Sequence, residues 1–262
     1  MSAYLSIGAI YRDESAYLRE WIEFHLLVGV ERFFLYNNAS TDDSLDVLAR
    51  YLTEEVVVLH DWPAPAPDQR QVFDDCLRVH RDDARWIAFI DVDEFLFSPT
   101  GEKLDVLLPE YERWPGVGVQ WAMFSVTERN KRAGGLVIDS FSMRDANDQG
   151  RFKSIVDPQR ALRCLDAHSF EYEYGLPVDE NGWPLVSPAT KATSLSRLRL
   201  NHYASRSEEE AREKIARQRG WGHLGRWRRH DLSGELELVR DEAIVPWISP
   251  LRANLEASGA QR

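Results

Sequence analysis

The sequence has few cysteines, no long apolar run and no excess of positive charge, and each shortage excludes a class of protein. Its two cysteines, Cys76 and Cys164, form no Cys-x-x-Cys, which excludes a zinc ribbon, a thioredoxin-like site and a disulfide framework and fits a reducing compartment. No stretch approaches the ~20 apolar residues that span a bilayer. The 32 basic and 43 acidic residues give a net charge of −11, which argues against a dedicated nucleic-acid binder.

The first residues also lack the pattern of a secretory signal, in which a basic stretch precedes a full apolar one. With 262 residues, 44% of them hydrophobic and 29% charged, the chain can bury one substantial core or two modest ones. We therefore expect a soluble cytoplasmic domain, and its nine tryptophans are more than such a domain normally uses.

Strand and helix patterns alternate through the first third of the chain. Short apolar runs that predict strands lie at residues 4–10, 31–36, 56–60 and 86–90. Helical spacing lies between them, from a start signal at Asp13-Glu14-Ser15 to Gly29, and over residues 44–52 and 69–80. This alternation predicts an α/β fold with a mainly parallel, doubly wound sheet and helices on both faces. The loops after the strands then share one edge, where ligands of open α/β sheets bind.

The later part of the chain is less regular. Residues 117–124 and 136–143 look like two further strands, and residues 151–173 have a mixed pattern. Ser207, the glutamates that follow it and the arginines before Gly220 predict a helix that ends at that glycine.

Two carboxylates separated by one residue follow the apolar strand at 86–90. Because side chains alternate along a strand, Asp91 and Asp93 can point the same way while Val92 points into the core. Two hard oxygen ligands on one side suit Mg²⁺ or Mn²⁺, which also bind substrate phosphates. Acidic residues that begin a surface loop would give the same pattern, but the position at the end of a buried strand favours a metal site.

Two weaker signals point to the same edge. The polar loop 36–42 carries amides and a carboxylate that can bind a nucleobase or ribose, although an ordinary turn with Thr41 or Asp42 as N-cap also explains it. His202, after an apolar run, would be a good third ligand for Mn²⁺. A solitary histidine is more often a satisfied core or surface residue.

Taken together, these parts resemble the glycosyltransferases of the GT-A fold, in the group close to families 2 and 92. The resemblance extends from about Ile7 to about Gly220, and the order and spacing of the set is its specific feature. Its parts are residues 10–21, Glu23-Phe24-His25, Gly29-Val30, residues 36–40, Asp91-Val92-Asp93-Glu94-Phe95, Lys153-Ser154-Ile155, His168 and Asn201-His202-Tyr203.

The resemblance implies transfer of a sugar from a nucleotide-diphosphate donor, UDP-linked, to a glycan or another hydroxyl acceptor. It implies that Asp91, Asp93 and His202 hold Mn²⁺ or Mg²⁺ on the diphosphate. Lys153 can add a second positive charge there, although an exposed lysine that lies along the sheet explains this residue as well. The residues it implies for the nucleotide are Tyr11, Asp13, Glu14, Asn37, Asn38 and Asp42, together with Asp91. On this basis we assign residues 1–204 to the transferase domain, with its nucleotide half at about 1–98 and its acceptor half at about 99–204, and 205–262 to a C-terminal helical extension.

The sequence departs from this group where the acceptor and the base are expected. Asp157 stands where relatives often carry arginine, no Gly-Ser pair follows Phe124, and relatives usually have an acidic residue in place of Asn37 or Asn38. We expect inversion at the sugar, which needs a carboxylate to accept the proton of the acceptor hydroxyl. The candidate bases, among which the sequence does not choose, are Glu128, Asp166 and Glu171.

Aromatic residues add two further hypotheses. Trp114, Trp121 and Trp183 are candidates for stacking on sugar rings, although core packing explains each of them more simply. An arginine- and tryptophan-rich cluster over residues 217–229 can rest on anionic lipid or contact a lipid-linked acceptor, which would place the protein peripherally at the inner face of a membrane. A solvated face with its tryptophans packed inward is the simpler explanation of the cluster.

Two other functions remain open. A nucleotidyltransferase on a related sheet would need a glycine-rich, basic phosphate loop after the first strand, and residues 10–14 are not such a loop. A non-catalytic nucleotide-sugar or glycan-binding module that has lost its base is consistent with the departures at Asp157 and after Phe124.

Overall fold

The computed structural model describes residues 2–63, 68–124, 135–146, 151–186, 194–203 and 237–259. The helices of this part are α1 (Ser15–Leu27), α2 (Ser44–Thr53), α3 (Gln69–His80), α4 (Leu104–Leu107), α5 (Val137–Ser140) and α6 (Ile248–Gly259), with 3-10 turns at Leu108–Tyr111 and Val245–Trp247. The strands are β1 (Ala3–Tyr11), β2 (Arg32–Asn37), β3 (Val57–Asp61), β4 (Ala84–Phe89), β5 (Glu94–Phe97), β6 (Gly116–Met123), β7 (Met143–Asp145), β8 (Phe152–Val156), β9 (Ala161–Asp166), β10 (Ser169–Tyr172), β11 (Arg199–His202) and β12 (Leu238–Arg240).

Eight of these strands form a central sheet in the order β3-β2-β1-β4-β8-β6-β11-β5. The first four are parallel to one another, as the alternation of strands and helices predicted. β8 then lies antiparallel between β4 and β6, β11 runs parallel to β6, and β5 closes the edge antiparallel to β11. The predicted α/β class is confirmed, and the sheet divides into a parallel half (β1 to β4) and a mixed half (β5, β6, β8 and β11).

Helices cover both faces of the parallel half. Trp21 of α1 packs on one face and Phe73 of α3 on the other, in two separate buried clusters. Neighbouring residues of β2, Phe33 and Phe34, fall in different clusters because successive side chains of a strand point to opposite faces. The doubly wound arrangement is therefore confirmed for this half.

The predicted strands and helices as far as β4 are confirmed, with ends that agree to within about two residues. The strand predicted at 136–143 is wrong, because residues 137–140 form α5 and only a short β7 follows. The buried carboxylate of Glu20 explains the difference, since it accepts the amides of Val137 and Ile138 at 2.8 and 3.1 Å and so caps the helical turn. That contact comes from α1, far away in the sequence. The helix predicted to end at Gly220 lies outside the described residues.

The last described segment packs against the domain. β12 pairs with β7, and Trp247 and Leu251 are buried in the same cluster as α1. Arg19 of α1 donates to the carbonyl of Leu255 at 2.6 Å. Within the described ranges, no helix has both the length and the apolar character needed to cross a bilayer.

Candidate active site

The loops after β1 and β2 are joined by hydrogen bonds at the carboxyl edge of the parallel half. The amide of Asp13 donates to Ser40 Oγ at 3.0 Å, and the amide of Thr41 donates to Asp13 Oδ1 at 2.7 Å. Asp13 and Ala39 adopt positive φ angles of 54° and 51°, which few non-glycine residues do. The carbonyl of Tyr11 accepts the amide of Asn38 at 2.8 Å. The two loops therefore form one connected surface.

Three residues predicted to bind the nucleotide help to build this surface. Asp42 accepts the amide of Ser15 at 2.7 Å, at the start of α1, and the amide and hydroxyl of Ser44. Burial opposes ionisation of Asp42, but the hydrogen bonds from Ser44 and Ser15 outweigh it and lower its pKa. Asn37 Oδ1 accepts the amide of Ser40, and Asn38 Nδ2 donates to the carbonyl of Trp62. The N-cap of α2 is Asp43, so the N-cap predicted at Thr41 or Asp42 is wrong, although Asp42 does accept hydrogen bonds from Ser44 at the start of that helix. Nucleotide contact by these residues stays a prediction.

Two further predicted residues, Tyr11 and Glu14, frame the same surface. The hydroxyl of Tyr11, at the end of β1, is buried and has no hydrogen-bond partner among the residues that the structure describes. Glu14 precedes α1 directly, and its side chain does not cap that helix.

The Asp-x-Asp segment forms the turn between β4 and β5, and its first carboxylate pairs with Lys153. Lys153 Nζ lies 2.9 Å from Asp91 Oδ2 and 3.9 Å from Glu94 Oε2, and the lysine side chain is only 2% exposed. The side-chain amide of Gln69, at the start of α3, donates to the other oxygen of Asp91. The backbone amide of Asp91 donates to Glu94 Oε2 at 2.8 Å. The parallel half supplies the carboxylate, and β8 of the mixed half supplies the cation.

These charges determine one another's ionisation. Burial alone would lower the pKa of Lys153, but the carboxylates of Asp91 and Glu94 outweigh it and raise that pKa. Burial would raise the pKa of Asp91, and the charge of Lys153 reverses the effect. Burial, together with Asp91 and Asp93, raises the pKa of Glu94 well above its ordinary value, although Lys153 acts in the opposite direction. The result is a buried ammonium that stays charged beside an ionised Asp91.

The second carboxylate of the segment faces His202. His202 Nε2 lies 3.5 Å from Asp93 Oδ1, and His202 Nδ1 lies 4.0 Å from Glu94 Oε1. This arrangement follows from strand pairing, because β11 is antiparallel to β5 and places His202 opposite Glu94. The amide of Tyr203 donates to the carbonyl of Asp93 at 2.9 Å, which ties the two segments together.

Asp93 and His202 fit two neighbouring ligands of one divalent ion. Such ligands lie about 3 Å apart at the ~2.1 Å bond length of Mg²⁺, close to the 3.5 Å between these two atoms. Within the described ranges, however, no three His, Cys, Asp or Glu side chains are grouped so as to hold a metal. Asp91 is instead held by Lys153 and Gln69. Since Mg²⁺ and related ions often use one or two protein ligands plus substrate phosphates, the residues fit a metal that a bound diphosphate completes.

The ring of Trp121 lies beside His202, His168 and Lys153. The ring of Trp121 lies 4.6 Å from that of His202 and 5.1 Å from that of His168, and Lys153 Nζ is 6.0 Å from its centre. His168 Nδ1 is 2.9 Å from the carbonyl of Phe152, so this nitrogen carries the proton and donates. Burial, and then the charge of Lys153, lower the pKa of His168 to about 4, so its ring is neutral near pH 7.

Sequence reasoning gave no role to Gln69 and treated Trp121 as one of three equivalent tryptophans. The structure separates the three, because Trp183 is 71% exposed and Trp114 packs beside Tyr111 and under the guanidinium of Arg113, whereas Trp121 lies beside His202. The position of Gln69 directly after the N-cap Asp68, at the carboxyl edge of the sheet, was the one available signal for that residue.

The carboxylates predicted to act as the catalytic base are less well supported than the residues predicted to bind the metal. Asp166 accepts the amides of His168 and Ser169 at 2.7 and 3.0 Å and thereby closes the β9–β10 turn. Glu171 is 44% exposed on the same hairpin and pairs with Arg163. Glu128 and the arginine–tryptophan cluster lie outside the described residues. The identity of the base stays a prediction.

The departure at Asp157 lies away from the site, contrary to the expectation that it concerns the acceptor or the base. Lys153 stands near the start of β8, and Asp157 follows its other end. There the carboxylate pairs with Arg85 at 2.9 Å and accepts the amide of Gln159 at 3.0 Å. Asp157 therefore has a structural role.

Comparison with known proteins gives a consistent result. A family model described as Glycosyltransferase family 92 matches residues 4–232. A glycosyltransferase family 92 protein of Oryza sativa subsp. japonica is 32% identical over 178 residues, which cover 66% of this chain and 30% of that protein. The galactan beta-1,4-galactosyltransferase GALS2 of Arabidopsis thaliana is 28% identical over 106 residues, 37% of this chain and 20% of that protein. The chain thus spans about a third, or less, of the length of these relatives.

Solved structures resemble the chain only distantly. The structure of S. aureus TarS 1-349 in complex with UDP-GlcNAc is 14% identical with a TM-score of 0.39, and the match covers 59% of this chain and 45% of that one. The mannosyltransferase PcManGT from Pyrobaculum calidifontis, in complex with GDP-Man and Mn2+, is 10% identical with a TM-score of 0.37 over 60% and 45% of the two chains. Likenesses this weak support no statement about the site.

Proposed function

The chain belongs to glycosyltransferase family 92, and from that premise we propose that it transfers a sugar from a nucleotide-diphosphate donor to a hydroxyl acceptor. The observation that carries the proposal is the convergence of Lys153, Asp91, Asp93 and His202 at the carboxyl edge of the sheet. A buried ammonium beside two metal-type ligands suits a substrate that carries several negative charges. We propose a UDP-linked donor, as the sequence resemblance implied.

Lys153 acts on the leaving group. Negative charge develops on the nucleotide diphosphate as the bond to the sugar breaks, and a positive charge placed in advance stabilises it. The salt bridge to Asp91 and the hydrogen bond from Gln69 to that aspartate hold the lysine in place before the donor arrives. Burial of Lys153 strengthens this effect because water does not screen it.

Asp93 and His202 would hold the divalent metal, Mn²⁺ or Mg²⁺. When bound, the metal would stabilise the charge of the diphosphate as a Lewis acid. The protein's own contribution is to keep the two ligands facing each other through the pairing of β11 with β5. Asp91 would join them only by exchanging its contact with Lys153.

The connected loops after β1 and β2 would receive the nucleoside. The buried hydroxyl of Tyr11 lacks a partner among the described residues, and such a group gains most from a hydrogen bond to a ligand. Asp13, Glu14, Asn37 and Asn38 lie in the same two loops or at their ends. For the base we propose Glu128, since the carboxylates of Asp166 and Glu171 are already engaged in the β9–β10 hairpin.

The test is a donor assay with the purified chain. UDP-galactose, UDP-glucose and UDP-GlcNAc would each be incubated with Mn²⁺, with Mg²⁺ and with chelator, and release of UDP measured with and without a β-1,4-galactan oligosaccharide. Metal-dependent release that rises with the acceptor supports the proposal. A donor that stabilises the protein thermally and is never cleaved would favour the non-catalytic binding module instead, and no effect of any donor would contradict both.

A further inference from the structure

A cluster of three charged side chains, with the buried Arg199 at its centre, connects the C-terminal segment to β11, the strand that carries His202. Asp241, which follows β12, has one carboxylate oxygen 2.7 Å from Arg199 Nη2 and 2.6 Å from Arg144 Nε. The side chains of Arg199 and Asp241 are 5% and 10% exposed. The buried guanidinium of Arg199 depends on this carboxylate, because loss of one partner of a buried ion pair leaves the other charge uncompensated.

The cluster continues along β11 to the Asp-x-Asp turn. Arg199 Nε donates to Asn201 Oδ1 at 2.6 Å, and Asn201 Nδ2 donates to the hydroxyl of Tyr203 at 3.0 Å. The amide of Tyr203 in turn donates to the carbonyl of Asp93. His202 lies between Asn201 and Tyr203, so both of its neighbours in the chain are held by the same set of bonds.

Asp241 lies beyond the part of the chain that matches the family. That match ends at residue 232, so Arg199 lies inside it and takes its counter-ion from outside. The backbone around Asp241 is held independently, because its amide donates to the carbonyl of Ser142 at 2.8 Å and β12 pairs with β7. The C-terminal segment thus presents a fixed carboxylate to β11.

We infer that Asp241 is a positioning residue, which holds β11 through Arg199 and Asn201 so that His202 faces Asp93. The inference rests on the proposed function, since it concerns the two residues proposed to hold the metal. Residues that orient a metal ligand without touching the metal commonly influence affinity, and their loss weakens binding by about 10- to 100-fold. The segment after residue 236 would accordingly be part of how the site is built.

A purely structural role is the alternative, and the molecule offers a control for it. Arg19 also anchors the C-terminal segment, through the carbonyl of Leu255 and the hydroxyl of Ser258, but it contacts α6 and not β11. Arg19→Ala should loosen the segment as a whole and leave the Arg199–Asp241 pair in place. Comparing Asp241→Asn with Arg19→Ala therefore separates positioning of His202 from simple anchoring.

The experiment measures Mn²⁺ binding in the presence of UDP by electron paramagnetic resonance, together with amide hydrogen exchange of β11. For Asp241→Asn we expect Mn²⁺ affinity about 10-fold weaker than in the wild type and faster exchange at residues 201–203. Arg19→Ala should leave both unchanged while exchange in α6 rises. If Asp241→Asn does not fold, Asp241→Glu keeps the charge, displaces the carboxylate by one methylene, and should give a smaller weakening in the same direction.

The outcomes are distinct. Unchanged Mn²⁺ affinity in a folded Asp241 variant would overturn this inference and leave the proposed function intact. An equal loss of Mn²⁺ affinity in Arg19→Ala would also overturn it, because Asp241 would then only anchor the C-terminal segment, as Arg19 does. A wild-type protein that binds no Mn²⁺ with UDP would instead overturn the metal site of the proposed function, and this inference with it.

Discussion

The parallel and mixed halves of the sheet contribute to the candidate site in different ways. The parallel half contributes loops and carboxylates that are close together in the sequence, such as Asp91 and Asp93. The mixed half contributes Lys153 and His202 from strands far apart in the chain, which meet because β8 inserts beside β4 and β11 pairs with β5. Asp91 and Asp93 therefore meet Lys153 and His202 only where the two halves join. The site thus combines carboxylates that are neighbours in the sequence with side chains that only the long-range pairing of strands brings close to them.

The largest effect is expected at Asp93, where the turn after the parallel half faces His202 of the mixed half. Asp93→Asn keeps the size of the side chain but removes the charge that faces His202, so we expect metal-supported turnover to fall about 1,000-fold. The measurement is UDP release across a Mn²⁺ titration. Asp46→Asn, an exposed change on α2, serves as the control. Near-normal turnover in Asp93→Asn would remove this residue from the metal site.

The next effect concerns the cation that the mixed half supplies. Lys153→Met keeps the aliphatic stem and removes the ammonium next to Asp91, so we expect kcat to fall about 100-fold. Arg163→Met deletes an exposed cation of β9 and should leave kcat unchanged. Both variants would be compared at saturating donor and Mn²⁺. If the two lose activity equally, Lys153 has no special part in stabilising the leaving group.

The next prediction concerns the pH dependence of stability, which tests the contact of His25 in α1 with the backbone of β5. His25 Nδ1 donates to the carbonyl of Trp21 at 2.8 Å and Nε2 accepts the amide of Leu96 at 3.1 Å, so the folded protein needs the neutral ring. Burial lowers the pKa of His25 to about 3, whereas an unfolded chain has a histidine pKa near 6.5. Aromatic rings surround it, namely Trp21, Phe24, Phe33 and Phe95.

Between these two pKa values the unfolded state binds a proton that the folded state does not. The free energy of unfolding should therefore fall as the pH drops below about 6.5, and His25 alone contributes about 1.4 kcal/mol per pH unit. Urea unfolding at several pH values between 7 and 5 would measure this slope. His25→Gln should show a slope that is shallower by one proton, and an identical slope in both proteins would contradict the assignment.

The smallest effect is expected at Asp157, which sequence comparison had marked as a departure near the reacting groups. Asp157→Asn weakens the pair with Arg85 and should lower the free energy of unfolding by about 1 kcal/mol. Turnover and its dependence on Mn²⁺ should not change, because the residue follows the far end of β8. A loss of turnover without a loss of stability would contradict this structural role and indicate that Asp157 takes part in the reaction.

The sequence predicted the parallel half well because its signals are local. Alternating apolar runs and helical spacing place each element within a few residues, and the Asp-x-Asp segment follows its strand directly. The strand predicted at 136–143 failed for the opposite reason. Its conformation depends on the carboxylate of Glu20, and no property of that segment alone reveals the contact.

The site shows the same division between local and long-range information. Resemblance to a family was enough to select Lys153 and His202, and the structure then showed what each contacts. Gln69 and the neutral ring of His168 escaped sequence reasoning, since a glutamine and a histidine are ordinary residues until a neighbour assigns them a partner.

By itself, the sequence determined the class of fold, the half of the sheet that is parallel, and the residue types available for chemistry. Those properties follow from periodicity and from side chains that lie near one another along the chain. Tertiary structure alone decided that His202 faces Asp93, that Asp91 pairs with Lys153, and that Asp241 closes on Arg199. Each of these contacts joins separate strands or segments, and such pairings follow from the packing of the whole domain.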